Sequence, residues 1–100
     1  MSGTERAEGR VVVSVVRSGG IAGLRRRWRA APPEAEAARW VALIDRCPWD
    51  ASSPPARGAD RYVWSIHART PDGDCRRELT DAEMRGAWRE LVDAVRAAEA

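Results

Sequence analysis

A chain of 100 residues and 11.0 kDa is sized for one compact domain. Its 44% hydrophobic and 32% charged residues are ordinary globular values, and no apolar run is long enough to span a membrane. This excludes a membrane-spanning helix, a collagen-like or disordered chain and a disulfide-stapled toxin fold, and a net charge of +2 is too mild to demand a polyanionic partner.

All 17 basic residues are Arg. With the abundant Ala, that points to the codon bias of a GC-rich genome. No apolar signal region opens the chain, so the expectation is a cytoplasmic protein in which Cys47 and Cys75 are reduced thiols. A bond between the two cysteines stays open, without support from their spacing.

Met1 to Arg10 is small, polar and charged and is expected to fray. Val11 to Val16 is rich in β-branched residues and predicts a strand buried on much of both faces, central in its sheet. Arg17 to Gly23 carries three glycines in five positions and reads as a turn. Leu24 to Ala30 is the return strand, with Leu24, Trp28 and Ala30 on one face and Arg25, Arg27 and Arg29 on the other. Arg26 breaks that alternation.

Pro32-Pro33-Glu34 opens a helix that runs to about Arg46, with Ala37, Trp40, Val41 and Ile44 as its apolar stripe. Pro48 stops it. Cys47 to Asp60 is a loop long for so small a domain, and long loops are often functional. Tyr62, Trp64, Ile66 and Ala68 alternate inward along the next strand, and Val63, Ser65, His67 and Arg69 outward. Thr70 to Asp74 holds the Pro-Asp-Gly chemistry of a hairpin turn, and Cys75 to Leu79 is the partner strand. Thr80-Asp81-Ala82-Glu83 is a capping box opening a helix whose apolar face is Met84, Trp88, Leu91, Val92 and Val95.

The order is β-β-α-β-β-α, an α+β fold: a four-stranded antiparallel sheet with two helices on one face. Strand order 2-1-3-4 makes the Val-rich strand central. It also brings Asp60 beside Gly19 to Leu24.

The chemistry of an enzyme is missing from this pattern. Gly19-Gly20 lies in a hairpin, whereas phosphate loops lead from a strand into a helix. One His and two Cys do not make a zinc site, so no metal or cofactor is expected. His67 reads as an exposed strand residue with no nucleophile to serve. The acid pairs Asp45 with Asp50 and Asp72 with Asp74 are explained by caps and turns. Trp28, Trp40, Trp64 and Trp88 occupy inward positions and read as core, while Trp49 is either a lid on the core or an exposed contact residue. The Arg25 to Arg29 run around Trp28 allows an alternative function, a small Arg-rich nucleic-acid-binding module. A solvated strand face over a buried Trp28 is the reading favoured here.

The hairpin tip is the most informative segment. Ile21, Ala22 and Leu24 are apolar where water favours polar residues. Either they fold back on the sheet end or they form a projecting anchor for a partner's pocket.

Arg17 to Arg26, the Pro-Pro-Glu helix start and Gly58-Ala59-Asp60-Arg61-Tyr62, in that order, resemble the emfourin family. These are small bacterial protein inhibitors of protealysin, a thermolysin-family metalloprotease. The likeness covers roughly Val12 to Val95, and Met1 to Arg10 looks like an extension before one inhibitor-like domain over 11–100. Family members often carry an aromatic residue where Ile21 stands and Phe where Tyr62 stands.

The resemblance implies a non-enzymatic inhibitor, a monomer when free, whose partner is a thermolysin-family protease and not a membrane or nucleic acid. Such enzymes hold zinc with three protein ligands and keep a fourth position open, which a carboxylate fills well. Asp60 is then the ligand directed at the protease's zinc, and Ile21, with Leu24 beside it, the anchor for the apolar specificity pocket. Gly19, Gly20, Ala22 and Gly23 complete the contact surface and let the backbone approach the cleft. The competing role for Asp60 is a loop acid that caps a turn or pairs with Arg61.

Overall fold

The computed structural model describes residues 11–19, 23–50 and 62–99. Strand β1 spans Val12–Gly19, β2 Leu24–Ala30, β3 Tyr62–Thr70 and β4 Gly73–Thr80. Helix α1 spans Ala37–Asp45 and α2 spans Ala87–Glu99. The strands form one sheet in the order β2-β1-β3-β4, every pair antiparallel. This is the α+β architecture and strand order expected from the sequence.

β1 is central because its β-branched residues suit burial between two neighbours. Val13 and Val15 are fully buried. The strand outruns the Val-rich segment, and Arg17 and Ser18 belong to it rather than to the turn. Ladders on both sides hold them: Arg17 lies opposite Arg26 and Trp64, and Ser18 opposite Arg25 and Val63. β1 ends at Gly19 with φ of 115°, and the chain re-enters through Gly23 with φ of 65°. Both values lie where side-chain-bearing residues are strained.

The helices cover one face. Trp40 and Ile44 bury the stripe of α1, and Trp88, Leu91, Val92 and Val95 that of α2. They close over Val13, Val15, Trp28, Ala30, Trp64, Ile66, Ala68 and Leu79 to make one core. Both helix starts are stepped. A 3-10 turn over Glu34–Glu36 precedes α1. The Thr80 capping box is present, with Glu83 Oε1 accepting from the Thr80 N–H at 3.0 Å, but it closes a 3-10 turn over Asp81–Glu83. α2 starts only after Gly86, at φ 63°, so Met84 is buried from the connection and not from the helix.

Trp49 is a lid on the core. Its ring meets that of Trp88 edge-on with centroids 4.8 Å apart, and its Nε1 donates to the Ile44 carbonyl at 2.8 Å. Arg77, on the inner face of β4, donates from Nη1 to the Trp49 carbonyl at 2.7 Å. Cys47 is buried nearby and Cys75 half-buried, and both are free thiols.

Candidate functional site

The end of the sheet opposite the β3–β4 turn is built around Gly19. Its Cα is paired with Leu24 on one side and with Tyr62 on the other. The last residue of β1 therefore lies between the first residue of β2 and the first residue of β3. Asp60 stands two positions before Tyr62 in the sequence. Gly20, Ile21, Ala22 and Asp60 themselves lie outside the described residues. Of the expected contact residues, Gly19, Gly23 and Leu24 are described.

Leu24 is 70% exposed and Tyr62 37% exposed, the large apolar side chains most open to water among the described residues. Alternation puts both on the helix-bearing side of the sheet, beyond the reach of the helices. The sheet end thus carries an apolar rim on either side of a residue without a side chain.

One row inward, Arg17 and Arg26 occupy the same face opposite each other. The Arg17 guanidinium lies 4.6 Å from the Tyr62 ring centre, 5.6 Å from Trp64 and 5.8 Å from Trp28. Arg26 sits 5.2 Å over Trp28, and Arg96 from α2 reaches the same ring at 5.1 Å. The Trp28 and Trp64 rings stack at 6.0 Å across β1. This accounts for Arg26, the residue that breaks the strand pattern: its planar cation covers the face of a core indole. The alternation of Val13 and Val15 carries on to Arg17, a signal that reading residues 17–23 as a turn concealed.

The opposite face of the sheet is uncovered by helices. Arg25, Arg27 and Arg29 are exposed, as the sequence pattern predicts. Ser14, Val16 and Ser65 floor a shallow groove there, bounded by His67, Arg76 and Glu78. His67 Nε2 lies 3.6 Å from Asp74 Oδ2 and makes no hydrogen bond among the described residues. Trp28 is only 8% exposed, so its ring is core rather than a stacking platform.

Among the described residues no three His, Cys, Asp or Glu side chains gather as a metal site, and no helix is long and apolar enough to cross a membrane. Burial pushes the Cys47 thiol up to about 11, with Arg46 opposing and Glu90 adding to the shift. A neutral, enclosed thiol is a poor nucleophile.

The sequence profile of the Emfourin family matches residues 15–96, which is most of the chain and at least part of every strand and helix described. The chain belongs to the Emfourin family. No curated protein and no solved structure matches it. Emfourin membership is consistent with a protease inhibitor and with a protein that is not itself an enzyme. The matched span includes Gly19, Leu24 and Tyr62, and also Arg17, Arg26 and Arg96 at its last position.

Proposed function

We propose that this emfourin inhibits thermolysin-family zinc metalloproteases, with the Gly19 end of its sheet entering the active-site cleft. The observation that carries the reading is the pairing of Gly19 with both Leu24 and Tyr62. It supports the reading because the described residues that flank the hairpin tip, and the strand that follows Asp60 in the sequence, share one sheet end. Asp60 supplies an oxygen ligand for the open coordination position of the protease's zinc. Ile21, with Leu24 beside it, fills the apolar specificity pocket next to that zinc. Gly19, Gly20, Ala22 and Gly23 allow close backbone approach. Residues 11–100 act as one inhibitory unit, monomeric when free and cytoplasmic in a bacterium, after a short N-terminal extension.

A nucleic-acid-binding module is the weaker reading. It needs an aromatic ring for bases to stack on. The Trp28 ring within the Arg run is buried and already covered by guanidinium groups.

The deciding experiment is a titration of a thermolysin-family protease with the purified chain, alongside a serine protease. Stoichiometric loss of the metalloprotease activity alone is expected. Asp60→Ala and Ile21→Ala should each weaken inhibition by more than about tenfold, or about 1.4 kcal/mol, without changing the thermal unfolding midpoint. Normal inhibition by both variants would remove these residues from the site.

A further inference from the structure

Arg17, Arg26 and Arg96 bring three guanidinium groups within 6 Å of the Trp28 ring, from β1, β2 and α2. Among the described residues none of the three forms an ion pair. The carboxylates nearest to hand are committed elsewhere. Asp93 and Glu99 line the same cleft as Trp28 and Arg96, a space of about 460 Å³ between β2 and α2. Asp93 lies 3.4 Å from Arg89 Nε, and Glu99 Oε2 accepts from the Arg29 N–H at 3.0 Å.

Like charges gathered with no carboxylate in ion-pair contact among the described residues repel one another, and the repulsion is relieved when an anion enters. The ring explains part of the arrangement, because an indole face attracts a cation. It does not explain three cations converging on one small surface from three separate elements. A guanidinium held near an indole keeps its N–H donors, which can contact a carboxylate in bidentate fashion.

The cluster adjoins the rim described above. Arg17 touches Tyr62, whose backbone partner is Gly19. A protein bound at the rim therefore extends naturally over the arginines.

The geometry points to a second docking surface, in which Arg17, Arg26 and Arg96 receive a carboxylate-bearing loop of the same protein partner that the sheet end engages. This rests on the inhibitor reading for the partner's identity and on the cluster itself for the ligand chemistry. The surface speeds encounter and fixes orientation, while the apolar rim sustains the complex.

The test has two arms. In the first, hexaglutamate peptide is titrated at low salt and followed by tryptophan fluorescence. Three proteins are compared: the unaltered chain, an Arg17→Gln/Arg26→Gln/Arg96→Gln variant, and an Arg25→Gln/Arg27→Gln/Arg29→Gln variant that loses equal charge from the opposite face. Binding should weaken by about tenfold or more in the first variant and little in the second. No binding to the unaltered chain, or equal loss in both variants, overturns the surface.

In the second arm, association with a thermolysin-family protease whose active site is free is followed by stopped flow at several salt concentrations. The cluster variant should associate about three- to tenfold more slowly at low salt, with a flatter salt dependence. Arg17→Lys/Arg26→Lys/Arg96→Lys should keep most of the rate, which separates charge from support of the indole. Association at the unaltered rate by the glutamine variant sinks the proposal and leaves the inhibitor reading standing. If no such protease is inhibited at all, the inhibitor reading fails, and the peptide arm alone decides the surface.

Discussion

The Arg17 guanidinium rests 4.6 Å from the centre of the Tyr62 ring, on the neighbouring strand and one row further in. That contact has a structural consequence. Tyr62 is partly exposed at the end of β3, where a ring without a neighbour would sample several rotamers. A cation held over it limits that freedom, and Arg17 is itself held by Trp28 and Trp64. The apolar rim is thus anchored to the core through a chain of rings and one guanidinium. Preorganised contact groups lose less entropy on binding.

The rim makes the first prediction. Leu24→Ala and Tyr62→Ala should each weaken inhibition of a thermolysin-family protease, by about tenfold for a well-seated side chain. Leu24 is 70% exposed, so its truncation should leave the thermal midpoint nearly unchanged. Unaltered inhibition constants for both would move the contact surface away from the Gly19 end.

Most of the fold was legible in the residues. The Val-rich run, the Pro-Asp-Gly turn and the inward alternation of Tyr62 to Ala68 are local signals, and local signals fix strand placement. The strand order followed from where α1 must return the chain. The errors were ones of extent. The sequence pattern ends the first strand at Val16 because glycine chemistry outweighs alternation, whereas the ladders to β2 and β3 carry β1 through Arg17 and Ser18 to Gly19. Thr80 to Glu83 gave a true capping box, but Gly86 at φ 63° postponed the helix. The arginine cluster was illegible for a different reason. Arg17, Arg26 and Arg96 are distant in sequence, and only the packing of α2 against β2 brings Arg96 to the ring.

Two tryptophans of similar burial should respond differently to the same change. Trp64 Nε1 donates to Asp81 Oδ1 at 2.7 Å, a bond to a charged acceptor. Trp40 Nε1 is buried and finds no acceptor among the described residues. Trp64→Phe should therefore cost about 1.5–3 kcal/mol in the bond alone, while Trp40→Phe relieves an unpaired donor worth about 1–3 kcal/mol and offsets part of its lost ring area. Denaturant unfolding of the two variants measures the difference. Equal destabilisation would mean that Trp40 Nε1 has a partner in solution.

Gly23 tests the backbone of the hairpin. It sits at φ 65°, and an added Cβ meets nothing within 4 Å. Any cost of substitution is conformational rather than steric crowding. Gly23→Ala should destabilise by about 1–2 kcal/mol, and Gly23→Asn by less, since Asn tolerates this region better. Chemical denaturation curves would reveal it. Equal stability of Gly23→Ala and the unaltered chain would show that the turn does not need this conformation.

The Cys47 thiol supplies a pH prediction with a definite sign. Burial raises it from 9.0 to about 11, and Glu90 adds to the effect while Arg46 opposes it. Its Sγ approaches the carbonyls of Leu43 and Ala87 at 3.5 Å each, contacts that suit the protonated form. Below pH 9 folded and unfolded chains both hold the proton, and this group adds no pH dependence. Between about pH 9 and 11 the unfolded chain releases it and the folded chain does not, so stability falls with rising pH, by up to about 2–3 kcal/mol. Cys47→Ala removes that contribution. The stability gap between the unaltered chain and Cys47→Ala should therefore be widest below pH 9 and shrink towards pH 11, read from urea midpoints at each pH. In the folded state Cys47 should also resist a thiol reagent at pH 8, whereas the less buried Cys75 reacts. A gap that stays constant through pH 11, together with equal labelling of both cysteines, would mean that Cys47 is open to solvent.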